Sequence, residues 1–487
     1  MMRGNGRPGH GGSDPLATLK ELGAQLPLTL GKTDRTALGF GVNLDDPDQE
    51  GFISIRDAER SGHFGCFGTT RVGKTRLVEN IIEQDIAKGY SVIVFDPKGD
   101  AELFSRMVQV AAQTGRLDDL MMLTPVFPDY SVQINPLASY YMQDELVNHI
   151  VSGIKAKEDY FIAIATEVSQ VVVAGLILIA RKNGRPPNLS FESIKERISY
   201  EDLKKLRDEL AMYRPESDRI CASIDAITGT ISTADFFGKV SSSLRTMLSA
   251  LTFGATGQVI GYAQENELIA RLESGRPAIV FVNTGSMLTR RTSHIIGKVL
   301  LSMIQSLVGR VFASGRKLTP PLCLHLDEGH NLLYQDIQEL FSKGGGANCW
   351  VHFYSQSMAQ IEEAIGPAAA QSVMDNINTW VYMLVNHPDT AKYVEQSSPQ
   401  VKRRKGVVAL GGGVTSQSTE VPQIQAFQVL QLPKRWFYLR SYGRLFKGRT
   451  LDTNPLWVRV RFPRLDAQER AEPTEDQAGT EQGDGRG

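Results

Sequence analysis

Gly68, Gly73, Lys74 and Thr75 stand at the spacing G-x-x-x-x-G-K-[ST], which brings together what a nucleoside triphosphate needs. Glycines let backbone N–H groups close round the β-phosphate, a lysine in this place reaches the γ-phosphate, and the threonine hydroxyl binds magnesium. The spacing predicts that Gly68, Thr69, Thr70, Arg71, Val72, Gly73, Lys74 and Thr75 hold ATP, with Mg2+ on Thr75. Two acids, Asp327 and Glu328, follow the apolar run Pro321 to Leu326. Opposite a phosphate loop, Asp327 would hold the magnesium through water and Glu328 would polarise the attacking water. Gln356 closes another apolar run, Cys349 to Ser355, where a carboxamide can hydrogen-bond both the γ-phosphate and the water. The candidate catalytic set is Lys74, Glu328 and Gln356, and the candidate metal set is Thr75 and Asp327.

Other residues carry chemistry without settling its use. Asp96, Lys98 and Asp100 in Asp96-Pro-Lys-Gly-Asp100 read either as a solvated turn or as a functional loop. Lys402-Arg-Arg-Lys405, ahead of Gly411-Gly-Gly413, reads either as a phosphate-backbone contact or as a solvated loop. His325, His330 and His352 lack the H-E-x-x-H pattern of a zinc helix and read as packing or hydrogen-bonding residues. Cys66, Cys221, Cys323 and Cys349 have no metal-ligand spacing, which suits small buried thiols in a reducing cytosol.

Alternating strand and helix patterns must position the loop. Gly62 to Phe67 is a strand-like lead-in, and after the loop Leu77, Ile81, Ile82 and Ile86 share one helix face. That helix points its positive end at the phosphates. Strands are expected at Leu38 to Val42, Gly51 to Ile55, Tyr90 to Phe95, Ala278 to Val282, Pro321 to Leu326, Cys349 to Ser355 and Trp380 to Val385, with a long helix from Thr292 to about Val311. Strand, loop, helix and strand in this order imply an α/β fold with a mostly parallel, doubly wound sheet, whose ligands lie beyond the carboxyl ends of its strands. Between about Met142 and Gly261 helical periods replace strand signals, with helix starts near Asn188 to Phe191 and at Ser199 and a breaker at Arg185-Pro-Pro187. The expected organisation is a flexible leader over 1–37, a nucleotide-binding domain over 38–141 and 262–462, an all-α insertion over 142–261 and a disordered acidic tail over 463–487.

Of the 487 residues 41% are hydrophobic and 22% charged, a globular balance that excludes a wholly disordered chain. The net charge of −1 means that any nucleic-acid contact must come from a local basic surface. Val168 to Ala180 is shorter than the ~20 residues of a membrane span and reads as a buried helix. Met1 to Pro15 lacks the apolar core of a secretory signal. The expected location is cytoplasmic or peripheral at the bacterial inner membrane, with no transmembrane helix.

Taken together, Gly68-Thr-Thr-x-x-Gly-Lys-Thr75, Asp96-Pro-Lys-Gly-Asp100, Asn135-Pro-Leu137, Leu326-Asp-Glu328 and Ser355-Gln-Ser357, with the helical stretch between them, resemble the type IV coupling proteins of the TraD/TraG kind. These belong to the FtsK/HerA group of ring-forming DNA translocases. The resemblance implies a RecA-like P-loop core, ATP hydrolysis coupled to DNA translocation and a homo-hexamer when active. It also implies as partners single- or double-stranded DNA, a relaxase or relaxosome, and the components of a type IV secretion channel. Three departures stand out. The transmembrane helices with which the family usually begins are not visible in this sequence, Arg71 replaces a common glycine, and Gly345 lies where relatives carry an arginine that reaches the neighbouring subunit's nucleotide. Lys343, Arg290 and Arg291 are the candidates left for that arginine's role. Two rival readings are an FtsK/HerA-type DNA-processing motor and an ATP-binding docking scaffold with little turnover.

Overall fold

A computed structural model describes residues 15–25, 33–154, 159–230, 237–239, 241–261, 265–408 and 414–465. Its strands are β1 (Arg35–Asn43), β2 (Asp46–Arg56), β3 (Phe64–Phe67), β4 (Ser91–Phe95), β5 (Leu120–Leu123), β6 (Ile279–Val282), β7 (Leu322–Leu326), β8 (Cys349–Ser355), β9 (Thr379–Tyr382), β10 (Gln400–Val408), β11 (Val414–Pro422), β12 (Trp436–Ser441) and β13 (Arg444–Thr450). One sheet has the order β2-β1-β13-β12-β9-β3-β8-β7-β4-β6-β5, and β10 pairs separately with β11. Every neighbour from β9 to β5 is parallel. The remaining strands, β12, β13, β1 and β2, extend the sheet antiparallel. The expected α/β sheet is therefore present, with an antiparallel flank that takes in the two early strands.

Parallel strands need helical crossovers and are covered on both faces, so they carry apolar runs without alternation. β4, β5 and β6 are buried at every residue. Successive side chains nonetheless point to opposite faces, and this divides the core. Val92, Val94, Phe64, Cys66 and Cys323 pack with the helices Lys74–Ala87 and Ala101–Gln113. Ile93, Phe95, Leu324 and Phe353 pack on the other face with the helix Arg290–Ala313 and the helical segment. Because the parallel strands share one carboxyl edge, the loops that start at Gly68, Asp96, Asn283, Asp327 and Gln356 all leave from that edge.

Between Gln143 and Gly261 the described residues form helices and no strand. Gly175 lets the helices Asp159–Lys182 and Tyr200–Leu210 close up, since a Cβ there would stand 3.2 Å from Leu210 Cδ1. Asn135 ties this segment to the core: its Nδ2 donates to Leu189 O (2.7 Å) and its Oδ1 accepts from Leu137 N (2.8 Å). On the helix Arg290–Ala313, Arg310 pairs with Glu145 at 2.5 Å and Ser302 bonds His149 at 3.0 Å.

Two expectations change, and a third falls mostly outside the described residues. Residues 1–14 and 26–32 of the leader lie outside the described residues, but Pro15–Gln25 is a helix and β1 already begins at Arg35. The helix is seated by Gly23 against the backbone of Ala112, 2.5 Å from where a Cβ would stand, and by Lys20 on Asp118 at 2.8 Å. Val168 to Ala180 belongs to a longer helix: Tyr160–Lys182 and Arg290–Ala313 are both long and apolar enough to cross a membrane by length and composition. They are 44% and 67% buried inside the protein over those windows, so the first is half-covered rather than buried. Residues 466–487 of the expected tail lie outside the described residues, as does Gly411-Gly-Gly413. Just before that tail Phe462 stacks on Phe104 and Phe127, with ring centroids 5.8 and 5.0 Å away.

Candidate nucleotide site

The loop after β3 is held at both ends. Gly68 N–H donates to Ser355 O (3.3 Å) and Thr69 N–H to Leu384 O (2.8 Å), which pins its start between the loops after β8 and β9. At its end Gly73, the residue before the helix Lys74–Ala87, has φ 115°, a backbone that favours glycine. Behind it Arg435 N–H donates to Val72 O (2.7 Å), and a Cβ at 73 would stand 3.2 Å from Arg435 Cα. Lys74 Nζ donates to Gly68 O at 2.6 Å, so the ammonium lies across the mouth of the loop, where burial lowers its pKa. Thr70, Arg71 and Thr75 are exposed there. A helix N-terminus with backbone N–H groups suits phosphate, and the hydroxyl of Thr75 with the carboxylate of Asp327 makes the hard-oxygen donor set magnesium prefers. The residues fit ATP with Mg2+.

The acids come from β7, two strands from β3. Asp327 N–H donates to Phe95 O (3.0 Å), and Glu328 follows in a left-handed conformation, φ 49° and ψ 41°. Gln356 Nε2, at the end of β8, donates to Glu328 Oε1 at 3.3 Å. Lys98 Nζ lies 2.6 Å from Glu328 Oε1 and 3.9 Å from Asp327 Oδ2. Burial raises the pKa of Asp327 against the pull of Lys98 and Lys74. For Glu328 burial is outweighed by the bond to Lys98, and its pKa falls. Asp96, buried beneath this turn, is pushed up to about 7 by burial and then by Asp327, while accepting Lys98 N–H (3.0 Å) and Asp100 N–H (2.6 Å). Asp100 caps the helix Ala101–Gln113.

Lys98 is the residue that sequence reasoning left open. The signal that places it is the pairing of β4 with β7, Phe95 beside Leu326, which no spacing along the chain reveals.

Arg71 has φ 61°, a conformation that costs a residue with a Cβ roughly 1–2 kcal/mol. Glycine there would relieve this but lose about 0.5–1 kcal/mol of chain entropy. Arg71→Gly is therefore expected to move Tm by no more than about 2 °C. It should weaken ATP binding about fivefold at most, the ~1 kcal/mol of an exposed charge contact. Calorimetry and nucleotide titration check the two halves separately.

The candidates for a trans-acting cation are scattered. A Cβ on Gly345 would lie 2.0 Å from Ser61 O, so no side chain fits there without moving backbone. Lys343 is exposed at the amino-end edge of the sheet and pairs with Glu339. Arg290 and Arg291 are exposed on the opposite edge, beyond β6.

His325 and His352 hydrogen-bond in a buried network, while the half-buried His330 lies apart, 3.4 Å from Ser355 Oγ. Asp85, His325 and His352 have ligand atoms within 4.8 Å of one another. Arg60 already fills that space: its Nη1 and Nη2 each lie 2.6 Å from an Asp85 oxygen, and Nη2 is 3.1 Å from His352 Nε2. Burial opposes the charge of Asp85, yet Arg60 holds it well below the usual carboxylate range. That is the chemistry of a buried ion pair, and a metal cation beside the guanidinium would be repelled.

A phosphate loop between a buried strand and a helix, with two acids and a carboxamide at the ends of neighbouring parallel strands, defines a P-loop nucleotide-binding fold. Residues 52–169 match the family model described as "Helicase HerA, central domain", and residues 321–404 match "TraM recognition site of TraD and TraG". Solved structures of similar fold include the bacterial conjugative coupling protein TrwBdeltaN70 (TM-score 0.63, 14% identity, covering 92% of this chain and 93% of that one). Another is plasmid coupling protein TrwB in complex with ADP and Mg2+ (TM-score 0.61, 15% identity, 90% and 92%). A third is VirB4 of Thermoanaerobacter pseudethanolicus (TM-score 0.52, 10% identity, 87% and 98%). No curated protein matches the chain in sequence. The chain thus carries a HerA-like segment over 52–169 and a TraD/TraG-type segment over 321–404, on a fold similar to that of TrwB.

Proposed function

We propose that the chain is an ATP-driven DNA-translocating motor that couples a relaxase-bound DNA substrate to a type IV secretion channel in conjugative transfer. The observation that carries this reading is the convergence of Lys74 and Thr75 after β3, Asp327 and Glu328 after β7, and Gln356 after β8 on one edge of the sheet. Lys74 meets the β- and γ-phosphates, Thr75 and Asp327 hold magnesium, Glu328 polarises the attacking water, and Gln356 orients it. Bound magnesium would neutralise charge developing on the phosphates. Residues 38–141 and 262–462 then act as the nucleotide-binding domain and 142–261 as an insertion that couples to substrate. The active form is a homo-hexamer on the cytoplasmic side of the inner membrane, in which a neighbour's cation completes each site. The names of TrwB as a conjugative coupling protein, with ADP and Mg2+ bound, and of the TraM-recognition family support this reading. The HerA match supports a second one, a DNA-processing ATPase acting without a relaxase.

The test is ATP turnover per subunit against protein concentration, with and without single-stranded DNA. The rate should rise with both. A rate that is flat in concentration, and indifferent to DNA that is demonstrably bound, overturns the motor and leaves a docking scaffold.

The β10–β11 ribbon is our candidate DNA contact. Lys402, Arg403, Arg404 and Lys405 stand in backbone register with Glu420, Thr419, Ser418 and Gln417. Replacing the exposed Lys402 and Arg403 with glutamine should flatten the slope of log K against log salt for single strands by about 1.4, at ~0.7 per phosphate contact. ATP binding should be unchanged. An unaltered salt slope would place the DNA contact elsewhere.

A further inference from the structure

Lys98 is a cation that the proposed chemistry has not used. It stands on the turn after β4, immediately beside the turn after β7 that carries both acids, and its Nζ is 2.6 Å from Glu328 Oε1. Its side chain is half-exposed, so this pair is open to an incoming solute. We propose that Lys98 reads the γ-phosphate: without nucleotide it is held by Glu328, and with ATP bound it exchanges that carboxylate for a γ-phosphate oxygen. The exchange leaves Glu328 hydrogen-bonded to Gln356 and turned to the water. The inference rests on the nucleotide reading of the site.

The magnitudes favour the exchange. An ion pair whose lysine is half-exposed is screened by water and contributes little, whereas a triphosphate brings several charged oxygens to a site where Lys74 and Lys98 already balance Asp327 and Glu328. Charge-assisted bonds to phosphate are among the stronger hydrogen bonds a protein makes. The loss of one weak pair is thus offset by the phosphate contact, and only for a nucleotide that carries the γ-phosphate.

The turn is built so that the side chain can move while its backbone stays. Asp96 accepts N–H bonds from both Lys98 and Asp100. Gly99 has φ 72°, and a Cβ there would meet the Asn283 amide at 2.4 Å. Ser286 N–H donates to Pro97 O at 2.8 Å. Lys98 is therefore anchored at its Cα, and its four-carbon stem supplies the motion. The acid is the strained partner. Glu328 adopts a left-handed backbone that is unfavourable for a residue other than glycine. The next residue is pressed so closely on β8 that a Cβ at Gly329 would stand 2.5 Å from the Phe353 ring. This geometry aims the carboxylate across the cleft at Lys98 and Gln356 rather than into solvent.

The test compares binding of a non-hydrolysable ATP analogue and of ADP, each with magnesium, to wild type, Lys98→Met and Lys98→Arg of the full chain. Wild type should prefer the triphosphate. Lys98→Met should lose that preference, about tenfold, with ADP affinity changed by less than about threefold, and Lys98→Arg should restore most of it. Equal affinities in wild type, or a parallel change for both nucleotides in Lys98→Met, overturn the role of Lys98 and leave the nucleotide site standing. A wild type that binds neither nucleotide overturns both.

Discussion

Glu328→Gln is expected to keep ATP bound while turnover falls about 10²–10⁴-fold, the usual contribution of a positioned general base. That is about 3–5 kcal/mol of barrier. Binding survives because its main contacts come from the loop, Lys74 and Thr75, and because magnesium is assigned to Thr75 and Asp327. The amide keeps the size of the carboxylate and can still accept a bond from Gln356 or Lys98, which now lie 3.3 and 2.6 Å from Glu328 Oε1. With the carboxylate gone, Lys98 is released to the triphosphate, so affinity for ATP should hold or tighten. Nucleotide titration beside single-turnover hydrolysis reads the two effects separately. Equal loss of binding and turnover would make Glu328 a metal ligand or a structural residue.

Lys74→Ala should lower turnover about 10²–10³-fold, the loss typical of removing one preorganised donor from charge developing in a transition state, and weaken ATP binding with it. The ammonium is half-buried against Gly68 O (2.6 Å) at the loop mouth, where it is less screened than in water and its charge acts on phosphate. Folding should survive. Residue 74 opens the helix Lys74–Ala87, and alanine is a good helix former. The bonds that hold the loop run instead through Gly68, Thr69 and Val72 backbone atoms. An unchanged melting transition with wild-type hydrolysis would remove the loop from the nucleotide site.

Much of this was legible before any coordinates. The phosphate loop is local: eight consecutive residues carry the glycines, the lysine and the threonine, and a strand and a helix flank them. The β4, β6 and β7 strands showed as apolar runs because strands covered on both faces have no polar face to display. The acids Asp327 and Glu328 at the carboxyl end of β7, and the amide Gln356 at that of β8, followed from the rule that ligands lie there. A helix start within Asn188 to Phe191 and one capped by Ser199 were readable, and in the structure the Ser190 and Ser199 side chains both accept N–H bonds of the first turn.

The rest depended on which chain segments become neighbours. Asp96-Pro-Lys-Gly-Asp100 could not be told from a solvated turn until β4 was seen beside β7, because the partner acids lie more than two hundred residues further on. The histidines looked alike in sequence, yet strand alternation sends His325 and His352 to the face of Asp85 and Arg60, while His330 stays beyond the strand end near Glu328. The apolar run at Val168 to Ala180 was underestimated because flanking polar residues such as Glu167 hid a helix that continues through them. Chemistry confined to one loop can be read from residue order, since its geometry is set by local backbone conformation. The pairing of Lys98 with Glu328 is set by strand order, which follows from burying whole faces of the sheet and leaves no mark in either segment alone.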